Sequence, residues 1–193
     1  MKKLRILYLN LWAITLMSGL VISKNCYYAT NKQLSPRLEV CFTPGCQAMQ
    51  WIEKVISKAK NTILVQAYVF TSANIAKALV EAHTRNIQVK IIADRSQLTI
   101  KGSKIGYLLQ HGIPVWVDTV PGIAHNKVMI IDEEYVLTGS FNWTNAAYKC
   151  NAENLLLIQD QKITQSYKAN WEQRLIGATP INLAYIKQAK TKQ

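Results

Sequence analysis

Two short runs in the middle of the chain hold the side chains best suited to chemistry. Ala124-His125-Asn126-Lys127-Val128-Met129-Ile130-Ile131-Asp132 is followed after a brief gap by Gly139-Ser140-Phe141-Asn142. An imidazole is a nucleophile or base near neutral pH, and an ammonium is a point charge that holds phosphate oxygens. His125 and Lys127 lie two residues apart, so on an extended strand both project from one face while Asn126 points away. Val128 to Ile131 reads as a buried strand, Asp132-Glu133-Glu134 as a turn, and Tyr135 to Thr138 as a returning strand. Such a hairpin brings His125, Lys127, Ser140 and Asn142 together.

The elements that must position this hairpin alternate along the chain. Arg37 to Phe42 reads as a first strand. Thr43 as N-cap and Pro44 at the first helical position, followed by Met49, Ile52, Ile56 and Ala59, predict a helix from about 44 to 60. Thr62 to Phe70 is nearly continuous and apolar, which predicts a strand buried on both faces in the centre of a sheet. Ser72 precedes a helix carrying Ile75, Leu79 and Ala82, and Ile87, Val89 and Ile91 alternate as a strand ending at Asp94. Ile105, Leu108 and Leu109 mark a helix that Gly112 stops before a strand from Ile113 to Val117. A helix-like stretch near 143–150, a strand from Asn154 to Ile158 and a helix on Ile163, Tyr167, Trp171 and Leu175 complete the pattern. The expectation is an α/β single domain over residues 37–177, with a mixed sheet and helices on both faces. Residues 178–193, with Lys187, Lys190 and Lys192, are expected as a mobile basic tail.

Composition narrows the partners. A chain of 193 residues that is 49% hydrophobic can bury a full core and is neither disordered nor fibrous. Its net charge of +12 points to a polyanion, nucleic acid or an anionic membrane surface. Met1-Lys2-Lys3-Leu4-Arg5 precedes an uncharged run from Ile6 to Ile22, which is about 26 Å long as a helix against a hydrocarbon core of about 30 Å. Residues 1–23 therefore read as a signal peptide cleaved after Ser23, for periplasmic or secreted export, or as an anchor at 6–22. Residues 24–36 read as a linker. Cys26, Cys41, Cys46 and Cys150 follow Ser23. A Pro44-Gly45 turn favours a Cys41–Cys46 bridge, with small buried apolar thiols as the alternative. No zinc spacing occurs and the three histidines are widely separated, so neither metal nor cofactor is expected.

The spacing His-x-Lys-x4-Asp-x6-Gly-Ser-x-Asn resembles the signature of the phospholipase D superfamily. The likeness is strongest to its small single-motif bacterial members, periplasmic non-specific endonucleases and short secreted phospholipases D. It extends to Cys41-Phe42-Thr43-Pro44, Gln66-Ala67-Tyr68, Asn142-Trp143-Thr144 and Asn151-Ala152-Glu153-Asn154. The resemblance implies that His125 attacks phosphorus to give a phosphohistidine, with Glu153 as partner of the other ring nitrogen. It implies that Lys127 and Asn142 bind non-bridging oxygens with help from Ser140, and that Gly139 permits close backbone approach. Asp132, at the strand end, is expected to hold the hairpin rather than to touch substrate. One motif supplies half of an in-line displacement, so a homodimer with the site across its two-fold interface is implied. A non-specific nuclease, a phospholipase D acting on phosphatidylcholine-type lipids and a catalytically silent nucleic-acid-binding protein are the competing functions. Arg95, Lys101, Lys104 and Lys149 near the motif favour nucleic acid.

Overall fold

A computed structural model describes residues 36–191. The expected signal or anchor segment, nearly all of the linker, and Cys26 lie outside these residues. Eight strands form one mixed sheet in the order β1-β7-β6-β5-β2-β3-β4-β8. They are β1 (Arg37–Thr43), β2 (Thr62–Ala67), β3 (Gln88–Ala93), β4 (Val115–Val117), β5 (Lys127–Ile131), β6 (Tyr135–Gly139), β7 (Glu153–Gln159) and β8 (Thr179–Ile181). The β2-β3-β4 block is parallel, and every other pairing is antiparallel. Central β2 is buried from Ile63 to Ala67, which explains its unbroken apolar run.

Helices cover both faces, as the α/β pattern predicts. The larger core lies under α1 (Ala48–Lys58), α2 (Ala73–Thr84), α3 (Ile105–Gln110) and α4 (Asn145–Lys149), where Ile52, Ile75, Leu79, Leu108 and Ala147 share one buried cluster with Val65, Ile91, Val115, Met129 and Leu155 of the sheet. The opposite face is covered by α5 (Gln161–Ile176). Trp171 of α5 packs there against Leu64, Val128, Ile130 and Val136 and donates its indole N–H to the Val65 carbonyl at 3.1 Å. Several caps sit where residue type requires them. Ser72, Thr144 and Asp160 accept from the backbone N–H of Ile75, Ala147 and Ile163.

Two expectations are corrected. The first helix begins at Ala48 rather than near Pro44, and Thr43 belongs to β1. Residues 44–47 are taken up by a turn entered through a cis Thr43–Pro44 peptide, with Gly45 at φ +123°, and closed by the Cys41–Cys46 disulfide, whose Cα atoms are 5.8 Å apart. The Thr43 hydroxyl, freed from capping, donates to the carbonyls of Ala147 and Asn151 at 2.7 and 3.1 Å. The second correction concerns the end of the chain. The expected tail instead forms β8, paired with β4, and α6 (Leu183–Thr191), whose Ile186 and Ala189 pack on the main core. Pro180 lies on the outermost strand, where a missing N–H costs no ladder bond. Cys150 is a free, exposed thiol.

The turn between β5 and β6 shows what Asp132 does. Asp132 and Glu133 have φ of +54° and +57°, and the Glu134 N–H closes the turn on the Ile131 carbonyl at 2.9 Å. Left-handed backbone is tolerated best by glycine, asparagine and aspartate. The Asp132 carboxylate accepts from the N–H groups of Lys60, Asn61 and Thr62 at 2.8, 2.7 and 2.9 Å, which locks the hairpin to the start of β2. Asp132→Ala, which leaves those three donors without their acceptor, is expected to cost about 2–4 kcal/mol in urea unfolding. Loss of turnover at unchanged stability would contradict this role.

Candidate active site

Lys127 is the first residue of β5 and pairs with Ala67 at the end of β2. The register continues one step further, where the Tyr68 N–H donates to the Asn126 carbonyl at 3.0 Å. Adjacent strand ends thus hold Tyr68, His125 and Lys127 together. Lys127 Nζ lies 2.9 Å from His125 Nδ1 and donates to the His125 carbonyl at 2.7 Å. The Tyr68 ring packs on the imidazole with centroids 4.3 Å apart, and Lys127 Nζ lies 4.8 Å from the same ring centre. A cation over an aromatic face is attracted by the ring quadrupole. In the sequence Tyr68 stands out only through its family likeness. Its place at the end of the strand that pairs with Lys127 is the signal that links it to the site.

Ser140 and Asn142 arrive from the end of β6. Gly139 has φ +147°, and a side chain there would run into the Asn154 carbonyl, so only glycine lets β6 and β7 close at this point. Ser140 and Asn154 then bond reciprocally. The Ser140 N–H donates to the Asn154 carbonyl at 3.1 Å, and the Ser140 hydroxyl oxygen accepts from the Asn154 N–H at 3.0 Å. The hydroxyl keeps its own proton to donate. Asn142 is held between Phe141 and Trp143, both fully buried, and its buried side-chain oxygen has no partner among the described residues. The Trp143 indole donates to the Gln66 carbonyl at 3.1 Å, which fixes this segment to β2.

Glu153 opens β7 opposite Thr43 of β1. His125, Lys127, Gly139, Ser140, Asn142 and Glu153 line one cavity of about 500 Å³. The Glu153 carboxylate accepts from Asn151 Nδ2 at 3.0 Å and makes no hydrogen bond to His125, whose Nδ1 faces Lys127 instead. Asn151 is therefore a second neighbour of the site to which the sequence assigned no role. Asp132 is at the opposite end of β5. Arg95 is spent on its own chain, donating to the carbonyls of Val120, Pro121 and Gly122 at 2.6, 2.9 and 2.7 Å. Lys101 and Lys149 are exposed and Lys104 precedes α3. His83 lies on α2, and His111 Nδ1 lies 2.8 Å from the Tyr107 carbonyl oxygen. Neither lines the cavity.

Electrostatics follow from burial. Lys127 is 5% exposed, which holds its pKa below the ordinary 10.5, while the Glu153 charge offsets part of that fall. The site therefore holds a cation with little water around it, beside a ring nitrogen and two groups, the Ser140 hydroxyl and the Asn142 amide, able to donate hydrogen bonds to oxygen. That arrangement suits attack on a phosphoester.

The family model described as cardiolipin synthase, PLD-like domain, matches residues 52–175. The chain belongs to the phospholipase D superfamily. It is 46% identical over 148 residues to a phospholipase D of Rickettsia prowazekii, covering 77% of this chain and 72% of that one. It is 31% identical over 200 residues to a mitochondrial cardiolipin hydrolase of Xenopus laevis, covering 91% and 94%. Nuc from Salmonella typhimurium, a phospholipase D family member, matches its fold with a TM-score of 0.73 at 35% identity, over 76% of this chain and 99% of that one. The protein is a phosphodiester hydrolase of this superfamily, on the mixed sheet that the sequence pattern predicts.

Glu153→Gln removes the charge that raises the Lys127 pKa, so Lys127 then loses its proton at a lower pH. The alkaline limb of residual kcat/KM, which needs the ammonium, is expected to move to lower pH than in the unsubstituted protein. A limb that stays in place or moves up would separate Glu153 from Lys127.

Proposed function

We propose that the protein cleaves phosphodiesters of nucleic acid through a phosphohistidine on His125, without a metal, as a homodimer. The observation that carries the chemistry is the convergence of His125, Lys127, Ser140, Asn142 and Glu153 on one cavity. In the free protomer Lys127 donates to Nδ1 of His125, which leaves the proton of a neutral imidazole on Nε2. A phosphate that draws Lys127 onto its non-bridging oxygens releases that lone pair. A His125 nitrogen then attacks phosphorus, the P–N bond forms, and the P–O bond to the leaving group breaks. Lys127, Ser140 and Asn142 stabilise the charge on the equatorial oxygens, the part that a metal plays elsewhere.

The leaving oxygen needs a proton from the side opposite the attack. One protomer offers one His125, and a second copy across a two-fold axis supplies the missing imidazolium. Once neutral, that imidazole takes a proton from the water that hydrolyses the P–N bond.

Support for nucleic acid comes from charge and from the wall of the site. Without the three cations of residues 1–23 the chain still carries +9, and every residue lining the cavity is polar or glycine. Phospholipid is the second reading. The names of the rickettsial and Xenopus relatives favour it, as does an apolar row on β1, where Leu38, Val40 and Phe42 are 62%, 50% and 65% exposed. Export fits either substrate, as does an anchor at residues 6–22.

Purified protein assayed side by side on single-stranded DNA, double-stranded DNA, phosphatidylcholine and cardiolipin separates the readings. DNA is expected to be cleaved, with binding falling about 10³–10⁵-fold between roughly 50 and 200 mM salt if six to ten phosphates are contacted. Turnover of a small phosphodiester should barely respond to salt. Hydrolysis of lipid alone would overturn the nucleic-acid reading. His125→Ala should abolish both turnover and the trapped phosphoenzyme, and an adduct on another residue would displace His125. EDTA should leave activity intact. A verified monomer with full turnover would end the dimer proposal.

A further inference from the structure

The segment that carries His125 has an unusual path. It leaves β4 and must reach β5, which lies on the far side of β3 and β2 in the sheet. With neighbouring strands about 4.8 Å apart, residues 118–126 cross about 14 Å over the carboxyl ends of two parallel strands. A loop stretched across strand ends has no ladder of its own to hold it. Here it is fastened almost residue by residue.

Asp118, directly after β4, accepts from the Val120 N–H at 2.9 Å and pairs with Arg174 of α5. The Thr119 hydroxyl donates to the Gly177 carbonyl at 2.5 Å. Arg95 takes the next three carbonyls, Val120 to Gly122, through a single nitrogen, Nη2. Asp94, directly after β3 and 1% exposed, then accepts from the Ala124 N–H at 2.8 Å, while its other oxygen accepts from the Ser96 N–H at 2.9 Å. Ala124 immediately precedes His125.

A carboxylate this deeply buried costs free energy unless it is satisfied. Burial by itself would raise the Asp94 pKa. Hydrogen bonds from Ser96 and from the Ala124 backbone, together with the Arg95 charge, bring it below the ordinary value of 3.8 instead. Capping the 3₁₀ turn at Arg95–Leu98 does not call for a charge, since serine or asparagine caps as well. The oxygen aimed at Ala124 is the part that capping leaves unexplained.

We propose that Asp94, with Arg95, is the positioning pair for His125, fixing the crossing loop so that the imidazole stands in register with Lys127 and Ser140. The proposal rests on His125 being the nucleophile. Asp94→Asn keeps the size and one acceptor, and it turns the second group into a donor that faces the Ala124 N–H. A small misplacement of a nucleophile costs on the order of 10²-fold in rate. Asp94→Asn is therefore expected to lower kcat on a small phosphodiester by about that factor, with KM within about twofold. Arg95→Ala, at an exposed side chain, is expected to fold normally and to show a smaller loss, about 10-fold, in kcat alone.

Single-turnover trapping of the phosphoenzyme distinguishes positioning from folding. Positioning predicts the same final amount of adduct per mole of folded protein, formed more slowly. Fewer labelled molecules that react at the unsubstituted rate in both variants would overturn it. If Asp94→Asn fails to fold, Arg95→Ala carries the test, and unchanged kcat there would overturn the pair. Absence of any His125 adduct in the unsubstituted protein would instead remove the nucleophile assignment on which the proposal stands.

Discussion

Keeping a charged ammonium almost out of contact with water is the constraint on which the site depends. Burying an unpaired ion costs several kcal/mol even after relaxation, whereas an exposed ion pair contributes about 0–1 kcal/mol. Lys127 meets that cost with short hydrogen bonds to His125, the face of Tyr68 and the nearby Glu153 charge. These contacts are what a phosphate would exchange for its own oxygens. A site that holds its cation in this way needs little reorganisation when negative charge builds up at phosphorus.

The sheet makes this burial possible by joining two kinds of pairing. A parallel block, β2-β3-β4, presents its carboxyl ends, where side chains such as Asp94 and Asp118 emerge together. Antiparallel β5 then enters beside β2 from the opposite direction, so that its first residue, Lys127, meets the last residues of β2. Gly139 lets β6 and β7 close tightly enough to carry Ser140 and Glu153 to the same point. The far end of the hairpin is tied down by Asp132, so the Asp of the motif contributes to geometry about a strand's length from the reacting group. Its presence in the same motif as His125 reflects a shared strand rather than a shared substrate contact.

Much of this was legible in the residues. The alternation of apolar patterns was enough for an α/β mixed sheet, because each strand and helix shows its buried face locally. Ser72 and Gly112 mark boundaries through local chemistry, the first by its side-chain cap and the second by its left-handed backbone. Local preference also misled. Thr43-Pro44 has the appearance of a helix start, yet the turn closed by the Cys41–Cys46 disulfide occupies those residues and delays the helix to Ala48. The lysine-rich end reads as solvated because α6 fully buries no residue and only half-buries Ile186 and Ala189, and β8 is three residues long with a proline at its centre. Their partners, β4 and α3, lie far away in the chain.

By itself, then, the sequence determined the fold class, the family, and that His125, Lys127, Ser140 and Asn142 come together, since the His-Lys spacing and the turn after it are local facts of one hairpin, whereas Glu153 reaches the same cavity from β7. Tertiary structure alone decided what each charge is used for. Arg95 looked like a phosphate ligand and is engaged by carbonyls 25 to 27 residues away, while Asp94, a strand-end residue with no apparent task, holds the backbone beside His125. Tyr68 and Asn151 acquired their places in the same way. The physical reason is that residue type sets what a group can bond, but only the path of the chain across the strand ends sets which partner arrives.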